Sequence, residues 1–365
     1  MKKFEYWKWY DIMCLATSSA SRKARAEACA CTRQMALTFR LIGRLPVSEK
    51  AKLFELGTAH ECLHVLLIIK TRSKHMKKLG YFFLSFLPML VALGIQFAIM
   101  FLMIGVGALY SLINQTSNSV TFRTLFSAML SDSEFNACIM LIYSLTVICI
   151  YGLLYYRNLG GCFLPKLKTT FHPLQFVGLL VLVPGMQFST SYLISILSLI
   201  FPSWLEQYEQ LLDTAGLSQQ LAPFLLLYAV IIGPIAEELI FRGLTLRSIR
   251  RVFPFWLANI FQAALFGIYH MNWLQGCYAA VFGLVLGYVC EKGGSIYLSM
   301  FFHILYNLWG TVISNLLSGL QMNEVVLGIL FLVTMVISLI AGGILFHRGQ
   351  VQKALTVKRL QSQES

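Results

Sequence analysis

The chain has 365 residues, 57% hydrophobic and only 12% charged, with a formal net charge of +13. Soluble domains carry about a quarter charged residues, so apolar sequence in this amount, gathered in blocks of about 20 residues that match a bilayer core about 30 Å thick, excludes an ordinary water-soluble fold. The positive charge does not point to nucleic acid: 16 of the 29 Lys and Arg lie before Tyr81, and most of the others sit in short connections and the tail, as basic residues do beside anionic lipid headgroups.

Residues 1–75 mix Ser, Ala, Cys and Arg without a sustained period and read as a basic, disordered N-terminal extension. Met76-Lys77-Lys78 followed by an apolar run from Tyr81 has the form of a bacterial membrane-protein start. Met76 is therefore the expected initiator, with a translated cytoplasmic arm as the alternative. No cleavable signal peptide is expected, because the first long apolar run begins near Tyr81. Within the extension, His60-Glu61-Cys62-Leu63-His64 matches H-E-x-x-H, which on a helix sets two His on one face for zinc. No third ligand follows in a recognisable position, so it is not expected to be the functional centre. The nine cysteines show no spacing of a disulfide framework, and several lie in apolar segments where a thiol behaves as a small hydrophobe.

Apolar runs predict an all-α, polytopic transmembrane bundle of about eight spans, at roughly 81–112, 137–156, 175–201, 222–246, 254–271, 273–290, 295–316 and 324–346. Residues 76–347 form the transmembrane domain, with its polar motifs between 225 and 310, and 348–365 form a basic cytoplasmic tail. The first and third runs are long enough to tilt, break or carry an interfacial turn. Counted from a cytoplasmic N-terminus, the inward connections hold Arg157, Lys166 and Lys168, then Arg247, Arg250 and Arg251, then Lys292, whereas the outward ones hold only Arg123. Both termini are expected to be cytoplasmic by the positive-inside rule. No internal repeat is visible, which counts against an inverted-repeat transporter.

Three spans carry ionisable or amide side chains in their interiors. A charge near a helix centre costs about 2.5–3.5 kcal/mol on insertion scales, so such groups pair with one another or line a wet cavity. The fourth span reads Gly233-Pro234-Ile235-Ala236-Glu237-Glu238-Leu239-Ile240-Phe241-Arg242-Gly243. Glu238 and Arg242 are spaced i, i+4 and share a face as an ion pair. Glu237, about 100° away around the helix, is left without a local partner and is the candidate general base. The bland alternative is a purely structural Glu–Arg lock, which accounts for Glu238 better than for Glu237. The fifth span ends Phe266-x-x-x-His270, and the seventh contains His303-x-x-x-Asn307, again one turn apart. A lone membrane His is often a satisfied structural residue. Two with an Asn, near a spare Glu, supply proton carriers and donors for an oxyanion.

Glu237-Glu238-x-x-x-Arg242, Phe266-x-x-x-His270 and His303-x-x-x-Asn307 resemble the three signature motifs of the CPBP family, which comprises the type II CAAX prenyl endopeptidases and the Abi or bacteriocin-processing proteins. The resemblance implies an intramembrane endopeptidase in which Glu237 and His270 activate water and His303 and Asn307 stabilise the oxyanion. Glu238, Arg242 and Phe266 would give structural support. It implies a peptide or membrane-anchored protein substrate in a lipid bilayer, no nucleic acid, and a multi-pass protein of the bacterial plasma membrane. No cofactor is required on this reading. Zinc on Glu237, His270 and His303 is the alternative, since a His₂Glu set is a known zinc environment. It is disfavoured because Asn307 is a donor rather than a ligand, and because only Tyr269 and Tyr306 stand near the histidines as acceptors for their second nitrogens. The competing functions are a non-catalytic peptide-binding immunity or scaffold protein of the same fold, and a proton-coupled transporter. One feature fits poorly: at about 1.5 Å per helical residue, Glu237 and His303 fall at similar depth, and His270 falls roughly 10 Å further across.

Overall fold

The computed structural model describes residues 77–113, 133–158, 171–214, 223–313 and 323–364. The expected extension 1–75, the Met76 start and the His60–His64 motif lie outside the described residues, as do Arg123, Lys166 and Lys168. The described chain is helical, and no strand occurs among the described residues.

After a helical stretch at 77–84 come α1 (Leu87–Ile113), α2 (Ser133–Asn158), α3 (Pro173–Ile200) and the short α4 (Pro202–Thr214). They are followed by α5 (Pro223–Ile249), α6 (Phe255–Tyr269), α7 (Trp273–Gly293), α8 (Ile296–Ile313) and α9 (Glu324–Glu364). Among the described residues, seven helices are long and apolar enough to cross a membrane. The expected span at 254–271 is the exception: α6 has 15 residues, about 22 Å of helix. Its partner α7 begins after the three-residue connection His270-Met271-Asn272, where Met271 adopts φ 53 and the Asn272 side chain caps α7 by accepting from the Gln275 N–H at 2.9 Å.

The two long runs break where the sequence allows. The first bends at Ser85–Phe86, just before Pro88. The third ends at Phe201 and turns into α4, which buries none of its residues. Trp204 of α4 stacks on Phe201 at 4.3 Å and on Trp273 at 5.9 Å, which ties α4 to the first residue of α7.

Small residues let helices approach closely, as they must where apolar burial gives no net drive in lipid. A side chain at Gly267 would place its Cβ 2.5 Å from the Gly276 carbonyl, and one at Gly287 would come 1.9 Å from Asn259 Oδ1, so α6 and α7 meet almost backbone to backbone. Helix α3 meets α9 in the same way. Cβ atoms added at Gly178 and Gly342 would lie 2.5 Å and 2.8 Å from backbone nitrogens of the facing helix.

Pro184 interrupts α3, and a proline inside a helix both lacks an N–H and crowds the preceding turn. At this point the Ser338 hydroxyl of α9 donates to the Val181 carbonyl and accepts from the Gly185 N–H at 2.8 Å. These are the two groups an uninterrupted α-helix would pair with each other. Ser338 thus inserts into the opened ladder and satisfies both, in a place where lipid offers no substitute. Ser338→Ala is expected to lower the thermal midpoint of the detergent-purified protein by the equivalent of about 1–3 kcal/mol, the cost of stranding buried backbone groups; an unchanged midpoint would show that the α3 kink does not depend on this hydroxyl.

Candidate active site

Helix α5 is not a uniform α-helix. It is α-helical at Pro223–Leu227, π-helical at Tyr228–Ile232, α-helical at Gly233–Glu238 and π-helical again at Leu239–Leu246. In the first π segment the Gly233 N–H reaches back five residues to the Tyr228 carbonyl. The next such pair would join Pro234 to Ala229, but proline has no N–H to give. The Ala229 carbonyl is taken instead by Asn307 Nδ2 of α8 at 2.8 Å. Wide turns of this kind recur at functional sites, and here two of them bracket Glu237 and Glu238.

Glu238 is wholly buried, and its Oε1 accepts from Arg242 Nη1 at 2.8 Å, one turn on in the same helix. Arg242 is also buried. Its Nη2 donates to the Gly283 carbonyl of α7 at 3.1 Å, and its guanidinium lies 4.5 Å over the ring of Phe266. Beyond it, Gln262 Nε2 donates to the same Gly283 carbonyl at 2.9 Å and to Asn259 Oδ1 at 2.8 Å, while Asn259 Nδ2 donates to the Leu284 carbonyl at 2.9 Å. The polar interior is thereby carried across α5, α6 and α7.

His303 stands between the two glutamates. Its Nδ1 lies 3.1 Å from Glu238 Oε1 and its Nε2 lies 3.6 Å from Glu237 Oε2. The side chains of His303 and Glu237 are 4% and 18% exposed, so Glu237 is the carboxylate with access to solvent or substrate. The Arg242 guanidinium and Glu238 carboxylate form the charged anchor, and the Nδ1–H of His303 donates to it. Nε2 then presents a lone pair toward Glu237. A proton carried by either group would lie between them. At 3.6 Å this is an ion-pair distance rather than a hydrogen bond.

The ring of His270 folds back along its own helix. On any helix the Cα–Cβ bonds tilt toward the N-terminus. His270 ends a helix that runs away from the basic side, so its ring folds back one turn, where Nδ1 lies 2.8 Å from the Phe266 carbonyl. Glu237 lies on a helix running the other way, so its Cα–Cβ bond tilts in the opposite sense. His270 comes within electrostatic reach of Glu237 and His303, and its ring packs edge-on against Phe266 at 4.9 Å. Phe266 also meets His303 at 5.9 Å, so this one ring touches both histidines and Arg242.

Two expectations are corrected. The histidines do have acceptors for their Nδ1 atoms, namely the Phe266 carbonyl and Glu238, and neither was among the tyrosines named for that task. The Tyr306 hydroxyl is paired with Thr190 at 2.7 Å, and the Tyr269 hydroxyl with Tyr143. The argument from missing acceptors against a metal therefore fails. Independently, among the described residues no three His, Cys, Asp or Glu side chains are grouped as a metal set; Glu237 pairs with His303 but not with His270 within ion-pair distance. The residues as placed do not fit a three-ligand centre. Asn307 is also less free than expected, since one of its two amide hydrogens is committed to Ala229.

Tyr143 of α2 and Tyr228 of α5 are neighbours of the site that sequence reasoning passed over. Together with Tyr269 they lie within electrostatic reach of Glu237. The signal for Tyr143 was a stripe of hydroxyl-bearing aromatics at Tyr143, Tyr151 and Tyr155, all on the buried face of α2.

Residues 219–309 match the family model of the Rce1-like type II CAAX prenyl endopeptidases. The matched stretch runs from just before α5 into the final π segment of α8 and includes Glu237, Glu238, Arg242, Phe266, His270, His303 and Asn307. No curated protein and no solved structure matches the chain.

Removing one member of a buried ion pair strands the other at about 3–5 kcal/mol. Glu238→Ala and Arg242→Ala are therefore expected to reduce the yield of folded protein more than they reduce the activity of what folds. Yield and thermal midpoint compared with wild type test this, and equal values for both variants would count against the anchor.

Proposed function

We propose that this multi-pass membrane protein is an endopeptidase that hydrolyses a peptide bond within the bilayer. The observation that supports it best is the placement of Glu237: partly accessible, facing His303, within electrostatic reach of His270, and backed by a charged anchor that fixes the tautomer of His303. The family match over the same helices supports the same reading.

With the Nδ1–H of His270 donated to the Phe266 carbonyl, its Nε2 is an acceptor. A water held between His270 Nε2 and Glu237 has one hydrogen for each. Its oxygen attacks the scissile carbonyl carbon while its proton passes to Glu237, and the carbonyl π pair moves onto oxygen. The resulting oxyanion meets the proton on His303 Nε2 and the remaining amide hydrogen of Asn307. Preorganised donors of this kind are worth most in a site shielded from water. On collapse the C–N bond breaks, its electron pair stays on nitrogen, and the proton held by Glu237 passes to the leaving amine. No step requires Glu238 or Arg242 to change protonation; they are positioning residues.

The substrate is a peptide or a membrane-anchored protein, in the plasma membrane of a bacterium with the basic ends of the helices inward. The family's description makes a prenylated peptide ending in Cys-aliphatic-aliphatic-X the first probe to use. The wild-type chain reconstituted in vesicles is expected to cleave an internally quenched form of this peptide, and Glu237→Gln to abolish turnover while leaving binding of the peptide intact. Turnover retained by Glu237→Gln would exclude the carboxylate as base.

Because Glu237, His270 and His303 do not form a ligand set, turnover is expected to survive strong chelation and metal-free purification. Elemental analysis of active protein prepared without an affinity tag checks this. One equivalent of zinc, lost in His270→Ala together with activity, would overturn it.

A further inference from the structure

The hydroxyls of Tyr143 and Tyr269 are in direct contact, across 126 residues of sequence and between α2 and α6. Two hydroxyls hold two hydrogens, and a contact between them spends one. No other hydrogen-bond partner of either hydroxyl occurs among the described residues, and Glu237, although near, is not bonded to either. One phenolic hydrogen is therefore uncommitted beside the carboxylate. Either hydroxyl can be the donor of that contact. Tyr143 is 3% exposed, whereas Tyr269 is only partly buried and directly precedes His270. Where Tyr143 gives its hydrogen to Tyr269, the Tyr269 O–H is the one left uncommitted. The Tyr269 ring is held edge-on against Phe241 at 5.4 Å, and the His270 ring is 6.0 Å away.

The donors available from the three motifs are fewer than their residue types promise. One Asn307 hydrogen is engaged by Ala229, and both nitrogens of His303 face carboxylates. We propose that the Tyr269 phenol is a further catalytic group, donating a hydrogen bond to the oxyanion formed on the scissile carbonyl, and that Tyr143 is its positioning residue. The assignment rests on the endopeptidase reading above. The phenol keeps its proton throughout: water supplies the proton that Glu237 takes and returns to the leaving amine, and the O–H only binds the oxygen that gains the electron pair. Donation from Tyr143 polarises the Tyr269 hydroxyl and fixes its direction, as linked hydrogen bonds do. Tyr143 lies outside the segment 219–309, so α2 becomes a contributor to the chemistry and not only a wall.

The test is a double-mutant cycle on the full chain in vesicles, with the prenylated quenched peptide as probe. Tyr269→Phe is expected to lower kcat about 100-fold, the range for loss of one oxyanion donor, with KM within about twofold. Tyr143→Phe is expected to lower kcat about fivefold to tenfold, the worth of one neutral hydrogen bond. Since Tyr143 acts only through Tyr269, the double variant should equal Tyr269→Phe alone. A purely structural pair would instead show multiplying losses or a lowered thermal midpoint without a change in kcat of the folded fraction, and either result overturns the assignment. If Tyr269→Phe does not accumulate, p-aminophenylalanine at 269 keeps a ring donor and should retain turnover; inactivity of this folded variant also overturns it. Absence of turnover by the wild type, or its persistence in Glu237→Gln, overturns the endopeptidase reading and this assignment with it. An active wild type, a dead Glu237→Gln and an unchanged Tyr269→Phe overturn this assignment alone.

Discussion

A carboxylate and a guanidinium buried in a medium without water must find each other, and the Glu238–Arg242 pair is the constraint on which the helical arrangement turns. Ionised groups in this setting persist by pairing with one another or with other polar groups. Glu238 takes His303 from α8 as well as Arg242. Arg242 takes the Gly283 carbonyl from α7 and the face of Phe266 from α6. A single ion pair on α5 thus fixes its register against three other helices. The glycines are part of the same solution, because Gly283 and Gly287 let α7 come near enough for carbonyls to reach Arg242, Gln262 and Asn259.

The division of labour between adjacent glutamates follows. Glu238 is spent on structure and is closed off; Glu237, on the neighbouring face, keeps partial access. His303 joins the two, with one nitrogen in the anchor and the other toward Glu237. An imidazole held by one buried carboxylate keeps its orientation toward the other, the arrangement an oriented acid–base pair requires.

Much of this was legible along the chain because it is local. Glu238 with Arg242, Phe266 with His270 and His303 with Asn307 are all one helical turn apart, and one turn is the distance over which sequence spacing speaks about space. The Phe266 carbonyl beneath His270 is equally local and could have been found by asking where a helix-terminal ring tilts. What was not legible is long-range or depends on departures from α geometry. The Tyr143 hydroxyl meets Tyr269 from a helix 126 residues away, and Ser338 mends a kink 153 residues from itself. The engagement of Asn307 could be read only by someone who knew that α5 winds wide at Tyr228–Ile232, since the carbonyl freed by Pro234 would otherwise lie four residues back rather than five. The apolar run at 254–271 showed its composition but not that its helix stops at Tyr269.

The wide turn at Tyr228–Ile232 also says something about descent by insertion and deletion. A segment wound with five-residue closures holds an additional residue over the path an α-helix would take. Loss of any one residue there would leave a helix just as apolar and just as able to insert. It would also let the segment close as a regular α-helix over the same path, so Glu237 would keep its face toward His303, but the carbonyl opened by Pro234 would lie four residues back and Asn307 would lose the one it now engages. A one-residue gap in this stretch is thus absorbed without turning Glu237 away, whereas the same gap in the α-helical turn Gly233–Glu238 would rotate all that follows by about 100°.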